Sequence, residues 1–242
     1  MFRFYYIIFL NLFRGPFLIP RLIHMAKHVD RYTEEQRYRM VRRVVHIVAR
    51  TGGIRTKVYG RENLPAEGGY IMYANHQGKW DALGIEDSHG SICAVVMDEA
   101  RSHAPVTSQV LDLVGGKRLK KNDIRQAMRV ILEMAEEAKQ GKRFLIFPEG
   151  GYDRNHNQVQ EFKAGCFKSS LLSRTPIVPV VLIDSYKAFE GFHVGPVRTE
   201  VHYLPAIAYE EYRDKRTVEI AEMVRQRIAA KIEEILSARE AA

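Results

Sequence analysis

The chain has 242 residues, 46% hydrophobic and 27% charged, which suits one large globular domain or two small ones with a substantial core. Its two cysteines, Cys93 and Cys166, lie far apart without metal-ligand spacing, which excludes a disulfide framework or a zinc cluster and suits a reducing, cytoplasm-facing location. The net charge of +8 is uneven: residues 1–60 carry twelve Lys/Arg against three Asp/Glu, a balance of +9 that leaves −1 for the rest, and this points to an anionic partner, nucleic acid or lipid.

Residues 4–10 are apolar and aromatic, Asn11 interrupts them, and Arg14-Gly15-Pro16 ends them. A second apolar piece covers residues 17–23. Neither piece approaches the roughly 20 residues that span a bilayer. Framed by Arg3, Arg14 and Arg21, the pair reads as an interfacial, in-plane anchor on an anionic membrane, which favours lipid over nucleic acid. A helix pair packed on the domain's own core is the alternative, and one face can do each job. No small-residue cleavage site follows, which argues against a signal peptide.

Residues 33–50 predict a helix, with Thr33 and Gln36 as a capping box, Met40, Val41, Val44, Val45 and Val48 as the apolar stripe, and Gly52-Gly53 as the stop. Strands are predicted at residues 54–59, 70–74, 91–97, 143–147, 177–183 (broken by Pro179) and 197–204. Helices are predicted at residues 82–85, 106–114, 123–139 (capped by Asp123), 166–172 and 217–236. This alternation predicts an α/β fold with a mixed, largely parallel sheet flanked by helices, preceded by an N-terminal helical membrane-associating segment. The expected division is an anchoring segment at residues 1–50 and an α/β domain at residues 51–242.

Two sequence features stand at predicted strand ends, where open α/β sheets place their ligands. In Asn75-His76-Gln77-Gly78-Lys79-Trp80-Asp81 a histidine and an aspartate stand five apart. On an ideal helix that step leaves the side chains some 140° apart, so the pair can meet only if the segment is a loop entering a helix, a geometry that Gly78 makes accessible. Asp81 would then fix the imidazole tautomer and leave the other nitrogen free to take a proton. In Phe147-Pro148-Glu149-Gly150-Gly151 a proline and glycines turn the chain and place Glu149 at the pocket mouth. Between them, Lys117-Arg118-Leu119-Lys120-Lys121 makes a phosphate site or a solvated face, and in an extended segment only some of its cations point one way.

In this order the blocks resemble the glycerolipid acyltransferase family, whose bacterial representatives are 1-acyl-sn-glycerol-3-phosphate acyltransferases. His76 and Asp81 match the first block, Gly115 to Lys121 the second, Phe147 to Gly150 the third, and Ile177-Val178-Pro179-Val180 the fourth. The third is continued by Phe162-Lys163-Ala164-Gly165. Two departures stand out. Gly151-Tyr152-Asp153 replaces the family's Thr-Arg-Ser, which leaves Arg154 to take over the arginine's role, and Lys121 stands where an arginine is usual.

The resemblance implies transfer of a fatty acyl group from an acyl thioester, acyl-CoA or acyl-carrier protein, to the hydroxyl of a lysophospholipid. His76 is then the general base and Asp81 its orienting partner. Lys121, Arg154 and Lys163 are the candidates for the acceptor phosphate. Glu149 and Gly150 would shape the acceptor site, with Glu149 bonding a hydroxyl or holding a basic residue, and backbone N–H groups near Gly78 would stabilise the oxyanion. No metal or further cofactor is implied, and the expected place is the cytoplasmic face of the cell membrane. A thioesterase using the same His/Asp pair and a non-catalytic basic membrane-binding protein are the alternatives.

Overall fold

The computed structural model describes residues 2–190 and 195–241. In chain order the helices and strands are α1 (Phe2–Leu10), α2 (Gly15–Lys27), α3 (Glu34–Gly52), β1 (Ile54–Tyr59), β2 (Tyr70–Ala74), α4 (Asp81–His89), β3 (Ala94–Asp98), α5 (Glu99–Ser102) and α6 (Thr107–Leu113). They continue with β4 (Lys117–Leu119), α7 (Ile124–Lys139), β5 (Arg143–Ile146), α8 (Lys168–Ser173), β6 (Ile177–Ile183), β7 (Val197–Tyr203), α9 (Tyr209–Tyr212) and α10 (Thr217–Glu240).

The described strands form one sheet in the order β1-β7-β6-β2-β5-β3-β4. Every neighbouring pair is parallel except β6 with β7, so the sheet is mixed and largely parallel. Side-chain alternation divides the core between its two faces. Tyr70, Met72 and Ala74 of β2 join one cluster with Val41 and Val45 of α3, Ile85 of α4 and Leu111 of α6. Ile71 and Tyr73 join the other, with Val130 and Met134 of α7 and Val224 and Ile228 of α10.

Local chemistry sets the element ends. The Thr33 hydroxyl accepts the Gln36 N–H while the Gln36 side chain accepts the Thr33 N–H, and Gly53 ends α3 in the left-handed region at φ 63°. Asp123 caps α7 by accepting the Gln126 N–H at 2.9 Å.

Pro179 does not break its strand, contrary to expectation: β6 runs unbroken from Ile177 to Ile183. Ladder pairing with β7 begins only at Val180↔Tyr203, and the Pro179 carbonyl accepts the Leu204 N–H at 3.0 Å. The missing N–H therefore falls just beyond the mouth of that antiparallel pair, and pairing with β2 continues through Tyr73↔Pro179.

Helices α1 and α2 are bent by 98° at their junction, and neither is long and apolar enough to cross a membrane alone. Ile7, Leu22 and Met25 face inward, while Tyr5, Ile8, Phe9, Leu12, Phe13 and Phe17 stay exposed, Phe13 at 88%. Arg3, expected at the rim of this segment, is instead buried beneath it. Its guanidinium donates to the Gly52 carbonyl at the end of α3 and to the Gly195 carbonyl, a favourable place for a cation at a helix C-terminus.

Candidate active site

Sheet register builds the site. Tyr73 of β2 lies opposite Ile146 of β5, so His76 and Glu149, each three residues past that pair, leave the same sheet edge side by side. On the next strands Asp98 pairs with Leu119, which delivers Asp98 and Lys121 to the same edge.

Residues 75–80 are not helical, and Asp81 is the first residue of α4. The turn brings His76 Nδ1 to 2.6 Å from Asp81 Oδ2. The same oxygen accepts the backbone N–H groups of Gln77 at 2.5 Å and Gly78 at 2.8 Å. Asp81 is fully buried at the N-terminus of α4, where three N–H donors converge on this one oxygen. Nδ1 must donate to a carboxylate already held by N–H groups, which leaves Nε2 as the unprotonated, proton-accepting nitrogen. Phe147 stacks on the imidazole with centroids 4.2 Å apart, and Tyr152 meets it edge-on at 4.7 Å, so two rings hold it in place.

Gly78 serves this turn in another way than expected. It does not use left-handed backbone. It contributes its N–H, which is committed to Asp81, as is that of Gln77. These two amides, of Gln77 and Gly78, are therefore not free for an oxyanion.

Glu149 is buried, and its side chain holds main-chain and amide groups of the turn. Its Oε1 accepts the His76 N–H at 3.2 Å, and Asn155 Nδ2 lies 3.4 Å from its Oε2. Burial pushes its carboxyl up to about 7, with a smaller upward push from the Asp81 charge, against the pull of backbone N–H groups of His76 and Gln160. Asn155 also donates to the His76 carbonyl at 3.1 Å, so both backbone groups of the histidine are held.

A second amide bracket lies on the other side of the turn. Gln77 donates through Nε2 to the Leu182 carbonyl and to Asn157 Oδ1, at 2.8 and 2.9 Å, and accepts the Ser185 N–H at 2.8 Å. Asn157 accepts the Asp184 N–H at 2.9 Å and donates to the Asp184 carboxylate at 3.0 Å. Asn75 extends the β2–β6 ladder by exchanging two hydrogen bonds with the backbone of Leu182. The segment 151–161 is thereby stitched to both the histidine turn and the end of β6.

The cations divide. Lys121 pairs with Asp98 at 3.3 Å, and its Nζ lies 3.7 Å from where a Cβ on Gly151 would be. Lys163 Nζ fills the space a Cβ on Gly150 would occupy, at 2.7 Å, and Gly150 has φ 73°, so only glycine fits there without strain. Arg154 is exposed and lines a separate depression with Asn155, His156, Asn157, Gln158 and Leu236. The rest of the basic run turns elsewhere: Lys117 pairs with Glu133 and Glu137, Arg118 with Asp112, and Lys120 with Glu99.

The structure thus brings His76, Asp81, Glu149, Gly150, Lys121 and Lys163 to one sheet edge and leaves Arg154 to one side. Sequence reasoning gave no role to Gln77, Tyr152, Asn155 or Asn157. Gln77 and Tyr152 stand within or beside the recognised blocks, but the two asparagines carry no local signal, since their partners are distant in the chain.

Comparison with known proteins adds three findings. The model of the Acyltransferase family matches residues 55–183. The chain is 28% identical over 188 residues to the mouse 1-acyl-sn-glycerol-3-phosphate acyltransferase alpha, covering 76% of this chain and 65% of the mouse protein. It is 25% identical over 199 residues to the 1-acyl-sn-glycerol-3-phosphate acyltransferase of Borreliella burgdorferi, covering 81% and 79%. The chain therefore spans just under two thirds of the length of the mammalian relatives it matches. The crystal structure of the 1-acyl-sn-glycerophosphate (LPA) acyltransferase PlsC from Thermotoga maritima has the same fold, with a TM-score of 0.74 at 21% identity over 96% of this chain and 93% of that one.

Proposed function

The chain belongs to the acyltransferase family, and on that premise we propose that it transfers a fatty acyl group from an acyl thioester to the free hydroxyl of a lysophospholipid. The acceptor is 1-acylglycerol-3-phosphate, as the names of its relatives suggest, and the product is phosphatidic acid for phospholipid synthesis. The observation that carries this reading is the buried Asp81 holding His76 at 2.6 Å beside a turn flanked by Lys121 and Lys163.

In the reaction, His76 Nε2 takes the proton of the acceptor hydroxyl as its oxygen attacks the thioester carbonyl. Asp81 stabilises the imidazolium that forms. The tetrahedral intermediate collapses with loss of the C–S bond, and the departing thiolate recovers the proton from His76. The products are an ester and a free thiol. Lys121 and Lys163 hold the acceptor phosphate over Gly150 and Gly151, and Arg154 adds positive field from outside the turn. Glu149 and Gly150 shape the acceptor site indirectly: Glu149 fixes the His76 backbone, and Gly150 leaves room for Lys163. Acyl-CoA and an acyl-carrier protein are both suitable donors, since each carries its thioester on a phosphate-bearing arm.

The exposed apolar surface of α1 and α2, with the basic N-terminal third of the chain, supports a peripheral position on an anionic leaflet at the cytoplasmic face of the membrane. Both acceptor and product reside in that leaflet.

The test is a lipid product assay with a panel of lysophospholipids and both donors, with and without acceptor. The expected result is acceptor-dependent phosphatidic acid, lost by several orders of magnitude in His76→Ala with the fold intact. Free fatty acid released equally without acceptor would make the protein a thioesterase, and full activity in His76→Ala would end the proposal.

A further inference from the structure

Three cations surround the turn from Gly150 to Tyr152. Lys121 and Lys163 are two of them. The third, Arg101, belongs to none of the sequence blocks and comes from the short helix α5, with its guanidinium 5.5 Å from the centroid of the Tyr152 ring. That ring stands 4.7 Å from His76, so Arg101 Cζ lies within about 10 Å of the imidazole. We propose that Arg101 is a specificity-determining residue: it binds a substrate phosphate together with Lys121 and Lys163 and sets a preference for phosphate-bearing over uncharged lipids. This inference rests on the acyl-transfer reading above.

Asp98 is the first argument. Its carboxylate caps α5 by accepting the Ala100 N–H at 3.2 Å and also pairs with Lys121 at 3.3 Å. One carboxylate therefore fixes the turn that bears Arg101 against the lysine already assigned to the phosphate.

Charge balance is the second. Four carboxylates near the site are committed: Asp81 to His76, Glu149 to the His76 N–H, Asp98 to Lys121 and Glu99 to Lys120, while Asp153 beside Tyr152 is exposed. Among the described residues neither Arg101 nor Lys163 forms an ion pair with a carboxylate. Like charges gathered at one turn repel each other, and an anion bound there relieves that cost.

Tyr152 is the third. The Tyr152 ring holds the guanidinium by cation–π attraction and by a hydrogen bond to its hydroxyl, and the guanidinium has further N–H groups for the two-pronged contact that phosphate accepts. In 1-acylglycerol-3-phosphate four bonds separate the reacting hydroxyl oxygen from phosphorus, so a hydroxyl at His76 Nε2 places its phosphate close by. The donor's arm also carries phosphate, and the experiment must separate the two sources.

Initial rates are measured for wild type, Arg101→Ala and Arg101→Lys, varying acceptor and donor in turn. Alongside, equilibrium binding to detergent micelles of 1-acylglycerol-3-phosphate is compared with binding to monoacylglycerol micelles. Arg101→Ala is expected to raise the acceptor KM by roughly ten- to a hundredfold with kcat nearly unchanged, as for a lost charge-assisted hydrogen bond. Arg101→Lys should recover part of the loss, and the preference for the phosphate-bearing micelle should shrink in parallel. A rise confined to the donor KM would assign the phosphate to the donor. Unchanged KM values for both substrates and unchanged micelle preference, in a variant of unaltered Tm, would overturn the proposal. If wild type transfers no acyl group, the functional reading fails, and the micelle comparison still tests Arg101.

Discussion

Glu149 accepts the backbone N–H of His76 at 3.2 Å, so a carboxylate from one strand end fixes the main chain of the histidine on the next. Burial raises that carboxyl to about 7, against roughly 4.3 for a glutamate in an unfolded chain. The native state thus holds this proton more tightly than the unfolded state. The stability it contributes is full below about pH 4 and is lost as pH rises through about 7. Glu149→Gln cannot titrate. From pH 4 to pH 8 the stability difference should move in favour of the variant by about 3 kcal/mol. Urea unfolding at a series of pH values measures this, and parallel curves would show that Glu149 does not titrate in that window.

Asp81→Asn keeps the size of the side chain but replaces one oxygen with an NH₂ group. The remaining oxygen can meet the Gln77 and Gly78 N–H groups, yet the histidine loses the anion that sets its tautomer and stabilises the imidazolium. The expected loss is about 10³- to 10⁴-fold in kcat, with a much smaller change in acceptor KM. Steady-state kinetics with a Tm control decides it, and a loss below about tenfold would show that His76 works without its partner.

Gln77 and Asn157 should behave as one unit. Gln77 is buried and makes hydrogen bonds to Leu182, Ser185 and Asn157. Gln77→Ala leaves buried partners unsatisfied and should cost about 2–3 kcal/mol of stability. Asn157→Ala removes one tie between segment 151–161 and the turn while Asn155 keeps the other, and the double variant should lose less than the two single losses combined, by about 0.5–3 kcal/mol. Strict additivity in denaturant melts would separate the two residues.

Substituting Phe9, Phe13 and Phe17 tests the membrane surface better than deleting α1 and α2. Deletion would also remove Ile7, Leu22 and Met25 from the core and Arg3 from the end of α3. The three phenylalanines are exposed at 71%, 88% and 82%, so changing them to serine should spare the fold. At about 1.5–3 kcal/mol per phenylalanine removed from water, the triple variant should bind anionic vesicles at least a hundredfold more weakly. High salt should weaken the wild type only in part. Unchanged cosedimentation with vesicles would count against this surface as an anchor.

Features written locally in the chain were legible before the fold was known. The Thr33–Gln36 box, the Asp123 cap and the need for a loop between His76 and Asp81 depend on residues within five of each other. The strand-end placement of His76 and Glu149 was also legible, because apolar runs mark strands. What brings those ends side by side is the pairing of β2 with β5, a long-range choice. For the same reason Asn155, Asn157 and Arg101 were invisible: polar residues in loops acquire meaning only from partners far away in sequence. Pro179 was misread because its missing N–H was judged without knowing which neighbour that side of the strand faces.

The catalytic turn is tied through main-chain amides rather than through the side chain at its middle. A Cβ on Gly78 would meet only the Tyr186 Cα, at an ordinary 3.4 Å, and the N–H that Asp81 needs would stay where it is. An alanine at this position would therefore leave the hydrogen bond to Asp81 in place, and the turn's hold on the histidine is written in the main chain.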